Sequence, residues 1–348
     1  MDKEIEKTDD IEKTDDNLIE SINSLIPNDI TDSDDITDSD DITSDDINDI
    51  NDINYIDDVN DIEQPSNKPE ILILSGGGLK GYCYIGVIKA LSEHNLLDNL
   101  NTIAASSIGA FIGLLYCIGY TADEMETIFS ELDLESVKDI TTDSILNFLN
   151  NYGIDSGNNF TKLIETLIQN KLGNASHHIT FYQLFKYTGF NLIVTGTCIN
   201  TRETEYFNYA NTPNMKVALA LRISCSLPFL FQPIFINQKI YVDGATINNF
   251  PINLFKDQID KCIGIVILNY SEKTHVIKNM ISYIQAIYEC IVPNDIYSQY
   301  LCYQNRCIGI NVQDVNMYNL DMDNNKRLKL IKNGYDSAIK WISNLQSV

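Results

Sequence analysis

Positive charge and histidine are both scarce in this chain of 348 residues, which has 24 Lys and Arg against 49 Asp and Glu, and four His. No basic patch is present, which removes nucleic acid from the expected partners. Four imidazoles leave little material for a histidine-based metal site or catalytic triad. The eight cysteines form no Cys-x-x-Cys pair and most sit in apolar runs, the pattern of reduced, buried thiols rather than of a disulfide framework or zinc site. The acidic start lacks the basic and apolar stretches of a secretory signal, so an intracellular, reducing compartment is expected, with peripheral attachment to membranes if the substrate is there. The longest apolar stretch, residues 104–120, contains a Ser-Ser turn and is shorter than the roughly 20 residues of a membrane span. It reads as a buried strand end followed by a core helix.

What is abundant is acid, and it is unevenly spread. Residues 1–68 hold roughly −20 of the total charge of −25. They repeat: Ile5 to Asp10 is copied at Ile11 to Asp16, Ile30, Ile36 and Ile42 stand six apart, and Ile47, Ile50 and Ile53 three apart. Neither period suits a strand or a helix face. Isolated isoleucines among like charges bury too little surface to offset chain entropy, so a disordered acidic tail is expected. A short-repeat β-solenoid or a loose divalent-cation sponge on the Asp clusters is the alternative.

Beyond Pro69 strand-like and helix-like segments alternate, as in an α/β sheet with helices on both faces. Strands are expected at 70–75, 101–106, 189–199, 239–243 and 262–268. Helices are expected at 81–94, 108–119, 145–152, 160–172 and 215–224, and another starts at Thr121, where Glu124 completes a capping box. Residues 278–304 and 326–345 read as amphipathic helices packed on the outside. The division is a tail at 1–68, a domain at 69–270 and a helical extension at 271–348 on that domain.

Two motifs carry chemistry. In the first, the apolar strand Ile71 to Leu74 runs through Ser75 into Gly76-Gly77-Gly78-Leu79-Lys80-Gly81 and then a helix, which leaves backbone N–H groups aimed at any negative charge in front of them. A dinucleotide fingerprint would need an acidic residue at the end of the second strand, where Ser106 and Ser107 stand. A phosphate loop would end Gly-Lys-Ser/Thr, whereas Gly81 follows Lys80. An oxyanion hole, or a bare turn, remains. In the second, Ile103 to Gly109 is a strand, a serine turn and a helix, a nucleophile elbow with Ala105 where Gly-x-Ser-x-Gly has its first glycine. Only Ser107 has a glycine, Gly109, two residues on, so Ser107 is the candidate nucleophile.

The base is either His275, in a polar loop after the strand 262–268, or Asp243, at a strand end before Gly244 and Ala245. His94 ends a helix, and His177 and His178 lie in a polar loop. A carboxylate is an ordinary base for serine only where burial raises its pKa, and Asp243-Gly244 by itself is also a common turn.

Taken in order, the Gly76 to Gly81 turn, the Ala105 to Gly109 elbow and Asp243-Gly244-Ala245 resemble the patatin-like phospholipases, lipid acyl hydrolases that use a Ser–Asp dyad. The run Leu221-Arg222-Ile223-Ser224-Cys225-Ser226-Leu227-Pro228-Phe229 is similar to that family as well. The resemblance implies a three-layer α/β/α sandwich with a mostly parallel sheet, Ser107 as nucleophile, Asp243 as base, an oxyanion hole at Gly76 to Gly81, and no metal or cofactor. It also implies a lipid or membrane-surface substrate, with Ala105, Gly109, Gly244 and Ala245 supporting the motifs. Acyl transfer to an alcohol or lysolipid, and an inactive lipid-binding scaffold whose acidic tail recruits a basic partner, are the alternatives. Phe229-Leu230-Phe231 is the candidate membrane contact, against the commoner fate of such a run in the core.

Overall fold

The computed structural model describes residues 68–173, 178–268, 277, 282–284, 286–287, 295–312 and 322–345. The acidic tail up to residue 67, His177, His275 and Cys290 lie outside the described residues. The strands are β1 (Ile71–Leu74), β2 (Thr102–Ala105), β3 (Gly153–Asp155), β4 (Asn191–Cys198), β5 (Glu203–Phe207), β6 (Phe229–Phe231), β7 (Ile234–Ile236), β8 (Lys239–Asp243), β9 (Cys262–Leu268) and β10 (Cys307–Asn311). The helices are α1 (Tyr82–Glu93), α2 (Ile108–Cys117), α3 (Ala122–Glu131), the short α4 (Thr142–Leu146) and α5 (Phe148–Asn151), α6 (Asn158–Leu172), α7 (Phe181–Thr188), α8 (Val217–Ser224), α9 (Asp295–Cys302) and α10 (Asn324–Leu345).

Strands β10-β9-β1-β2-β4 form the parallel part of the main sheet in that order; β8 and then β7 extend it antiparallel, and β5 pairs with β4. Strands buried on both faces must be apolar throughout, which is why β1 reads Ile-Leu-Ile-Leu and β9 Cys-Ile-Gly-Ile-Val-Ile-Leu. Alternate residues then serve two cores. Leu72 and Leu74 join a large core with α1, α2, α3, α6, α8 and α10. Ile71 and Ile73 join a smaller one on the other face, with Phe250, Ile252 and Val266, against which Ile296 and Tyr300 of α9 pack. The result is the expected α/β/α sandwich.

The expected strands and most helices form within a few residues of their anticipated ends, including the reciprocal Thr121–Glu124 cap of α3. Residues 104–120 are β2 and α2, a strand end and a core helix. The single helix expected at 145–152 is instead two short turns, broken at Asn147 and closed by Tyr152 at φ 59°, before β3 begins. Of the helix expected at 278–304, the described residues 282–284, 286–287 and α9 are helical, and Tyr303 and Gln304 lie in the turn that follows α9. Helix α10 lies on α1 with backbones nearly touching: a Cβ on Gly334 would stand 1.9 Å from the Cys83 carbonyl oxygen. Its Arg327 donates from Nη1 to the carbonyls of Phe129, Ser130 and Leu132, closing the C-terminal end of α3.

Candidate active site

The site forms at the carboxyl ends of β1 and β2, where the glycine turn and the serine turn leave the sheet side by side. After β2 the chain reverses at Ser107, whose φ of 52° and ψ of −128° put an L residue in strained backbone. That strain lifts the side chain out of the strand path and starts α2 at Ile108. The neighbouring Ser106 is fully buried, with its Oγ unpartnered among the described residues, so the two adjacent serines have separate fates. Gly109 allows α2 to sit close on β1, since a Cβ there would come within 2.5 Å of the Ser75 carbonyl oxygen.

Ser107 Oγ donates to Asp243 Oδ2 at 2.7 Å. The other carboxylate oxygen, Oδ1, accepts from the Ala245 N–H at 2.8 Å, which Gly244 makes possible by turning the chain directly after β8. Asp243 is 1% exposed, and burial pushes its carboxyl from 3.8 up to about 7, against the opposing pull of the Ser107 and Ala245 hydrogen bonds. The pair therefore combines a hydroxyl with a carboxylate whose proton affinity suits near-neutral chemistry.

One segment that the sequence marked without giving it a role braces both partners. Ser224 Oγ accepts from the Ser107 N–H at 2.8 Å, and the Ser226 carbonyl accepts from the Asp243 N–H at 2.9 Å. Burial pushes up the thiol of Cys225, which stands between them in the chain. Buried Arg222 donates to Ser226 Oγ through Nη1, and through Nη2 to the carbonyls of Ser156 at 2.7 Å and Gln232 at 3.0 Å. Only the residue types of the Leu221 to Phe229 run hinted at this; the cross-chain bonds are invisible to local pattern.

The glycine turn resolves into parts with different duties. The Gly76 N–H is already taken by Asn249, at 2.7 Å to Oδ1 and 3.2 Å to the carbonyl oxygen. The Lys80 N–H is taken by the Gly77 carbonyl at 3.1 Å. Gly78 adopts φ 53°, a conformation that suits a residue without Cβ. Among the described residues the N–H groups of Gly77 and Gly78 have no acceptor, which leaves them available to an oxyanion. Leu79 and Lys80 are buried and Gly81 leads into α1.

The described histidines stand elsewhere. His94 closes α1 with Nδ1 2.8 Å from the Ala90 carbonyl oxygen, and His178 is exposed, 3.2 Å from Glu165. Among the described residues no group of three or more His, Cys, Asp and Glu is arranged to hold a metal ion.

An α/β sandwich with a strained serine turn, a buried aspartate on its hydroxyl and free amides beside it is the architecture of a nucleophilic hydrolase. Residues 72–256 match the family model described as patatin-like phospholipase, and the chain belongs to that family. It is 30% identical over 285 residues to protein R571 of Acanthamoeba polyphaga mimivirus, spanning 79% of this chain and 94% of that one. It is 34% identical over 185 residues to a protein named probable lipid hydrolase 463L of Invertebrate iridescent virus 6, spanning 53% of this chain and 62% of that one. Among solved structures, VipD of Legionella pneumophila shares the fold, with a TM-score of 0.52 at 20% identity over 80% of this chain and 67% of that one.

Proposed function

We propose that the chain is a lipid acyl hydrolase working through Ser107 and Asp243. The observation that carries this reading is the 2.7 Å hydrogen bond from Ser107 Oγ to the buried Asp243 carboxylate; family membership supports the lipid ester as substrate. Asp243 takes the Ser107 proton as Oγ bonds to the ester carbonyl carbon. The Gly77 and Gly78 N–H groups hold the resulting oxyanion, which collapses as the carbonyl re-forms and the C–O bond to the alcohol breaks. Asp243 passes its proton to the departing alcohol. Water then repeats the cycle: Asp243 takes a proton from it, its oxygen attacks the acyl carbon, and the fatty acid leaves as Ser107 recovers its proton from Asp243.

Incubating the full chain with a mixed panel of phospholipids, lysophospholipids and triacylglycerols, and identifying the products, tests the reading. Release of free fatty acid, lost in Ser107→Ala, is expected. No release from any lipid of the panel, or release that is unchanged in Ser107→Ala, overturns it.

A further inference from the structure

A band of large apolar side chains faces solvent beside the site. Leu146 on α4, Leu149 on α5, Tyr152 before β3, Phe229 on β6 and Phe235 on β7 are between 46% and 82% exposed. They are joined by structure rather than scattered. Helices α4 and α5 pack on β3, β3 pairs with β6, and the Tyr152 and Phe235 rings lie 6.5 Å apart between centroids. The band is also joined to the chemistry. Phe229 follows Ser226, which holds the Asp243 N–H, by three residues, and β7 pairs with β8, the strand that ends in Asp243.

The charge around it is as telling as its apolarity. Residues 140–152 contain one charged side chain, Asp143, and residues 227–238 contain none. The polar residues interleaved there are uncharged apart from Asp143, among them Asn147, Asn150, Asn151, Gln232, Asn237 and Gln238. A surface that binds anionic lipid or an acidic protein presents free lysine and arginine; these two segments have neither, and the lysines that border them, Lys138 and Lys239, are paired with Glu135 and Glu205. Residues 1–68, at roughly −20, would oppose approach to a negative surface as well.

We infer that this band is an interfacial docking surface for zwitterionic phospholipid, into which Leu146, Leu149, Tyr152, Phe229 and Phe235 insert so that acyl chains meet the mouth of the Ser107 site. The inference rests on the lipid-hydrolase reading and adds to it where, and on what kind of surface, the chain meets its substrate. Docking of this kind is driven by apolar burial, so it tolerates salt.

The test is co-sedimentation of the full chain with phosphatidylcholine vesicles, with and without added phosphatidylserine, at low and high salt. It is run beside the rate on a water-soluble short-chain ester. The chain should bind pure phosphatidylcholine with less than about a twofold change on raising salt. The doubly substituted Leu146→Asp, Leu149→Asp chain should bind at least about tenfold more weakly and cleave vesicle lipid correspondingly more slowly. Phe235→Asp, on a different element, should do the same. Both variants should keep the soluble-ester rate, because neither touches the dyad. Vesicle binding unchanged in both variants, binding only to phosphatidylserine vesicles that salt abolishes, or a dimer of the chain that the substitutions dissolve would each overturn the assignment. A chain that binds phosphatidylcholine through this band but cleaves neither ester nor lipid would overturn the hydrolase reading and leave the surface standing.

Discussion

Asp243 takes up the edge of β4 that Ala105 gives up. Ala105 pairs with Val194, Asp243 pairs with Gly196 two residues on, and both β2 and β8 lie on the edge of β4 opposite β5. The chain at Ser107 turns away where β8 arrives from the other direction, so backbone pairing alone brings hydroxyl and carboxylate together. Replacing either side chain should therefore leave the fold intact. Ser107→Ala and Asp243→Ala should each lower kcat/KM by about 10⁴-fold, and the double substitution by little more, because the two act as a unit. His275→Ala should keep near-full activity. Steady-state rates on a soluble ester, with circular dichroism to check folding, decide it. An active Asp243→Ala chain and a dead His275→Ala chain would move the role of base to the histidine.

The raised carboxyl of Asp243 sets a pH limit on activity and an opposite trend in stability. Attack needs the deprotonated form, so kcat/KM should fall on the acid side with an apparent pKa near the value of about 7 that burial produces. The same group binds its proton more tightly folded than unfolded. Its contribution to stability is full below the unfolded value of 3.8 and is lost as pH rises through about 7. Denaturant unfolding of Asp243→Asn across this range should lack that loss, so the gap between variant and parent should widen from pH 4 to pH 8. A constant gap would show that Asp243 ionises as an ordinary surface carboxylate.

Much of this was legible beforehand because its causes are local. A strand of four apolar residues meeting three glycines, and a serine followed two residues later by glycine, constrain the backbone within a single turn. The elbow, the glycine turn and the end of β8 follow from such neighbours. What stayed hidden depends on distant partners. Strand β5 is mixed in polarity, β6 and β7 are only three residues long, and they become strands by pairing with β4, β3 and β8. The loss of the Gly76 N–H to Asn249 and the bracing of Ser107 by Ser224 cross more than a hundred residues of chain. Phe229 to Phe231 carried an apolar signature that read mainly as core, yet Phe229 stands exposed at the strand start. Helix α7 did carry a local signal, the Thr180–Gln183 capping box, which the strand expected next to it overshadowed.

Arg222 reaches the base through one intermediary. It holds Ser226 Oγ, Ser226 holds the Asp243 N–H through its carbonyl, and the guanidinium is buried close to Asp155. Removing it frees the Ser156 and Gln232 carbonyls and takes a positive charge from beside Asp155, so Arg222→Ala should cost about 3 kcal/mol in urea unfolding. Arg222→Lys, which retains the charge but loses the fork, should recover most of the stability while kcat stays reduced and the acid limb of the pH profile moves. A lysine variant with the parent's kcat and pH profile would reduce Arg222 to a packing residue.

Gly244 has no room for a side chain. A Cβ there would stand 2.1 Å from Thr195 Oγ1 and 2.5 Å from the Thr195 carbonyl oxygen. Gly244→Ala must push the turn off β4, and with it the Ala245 N–H that holds Asp243 Oδ1. Destabilisation of about 1–3 kcal/mol is expected, together with an activity loss larger than the fraction unfolded accounts for. A folded, fully active Gly244→Ala chain, by thermal melt and ester assay, would mean that the turn does not hold the carboxylate in register.

Ala105 occupies the position where the usual elbow has glycine, and the structure explains why alanine serves. Positive φ falls on Ser107, and Ala105 remains in ladder geometry between Leu74 and Val194 with its methyl group fully buried in the large core. A glycine here would free the backbone and delete a packed methyl group without relieving any strain. Ala105→Gly should therefore lose about 1 kcal/mol of stability and change kcat by less than about twofold. If kcat instead rose severalfold in the ester assay, crowding from the alanine would be limiting the serine turn, and the strain would have to be shared between residues 105 and 107.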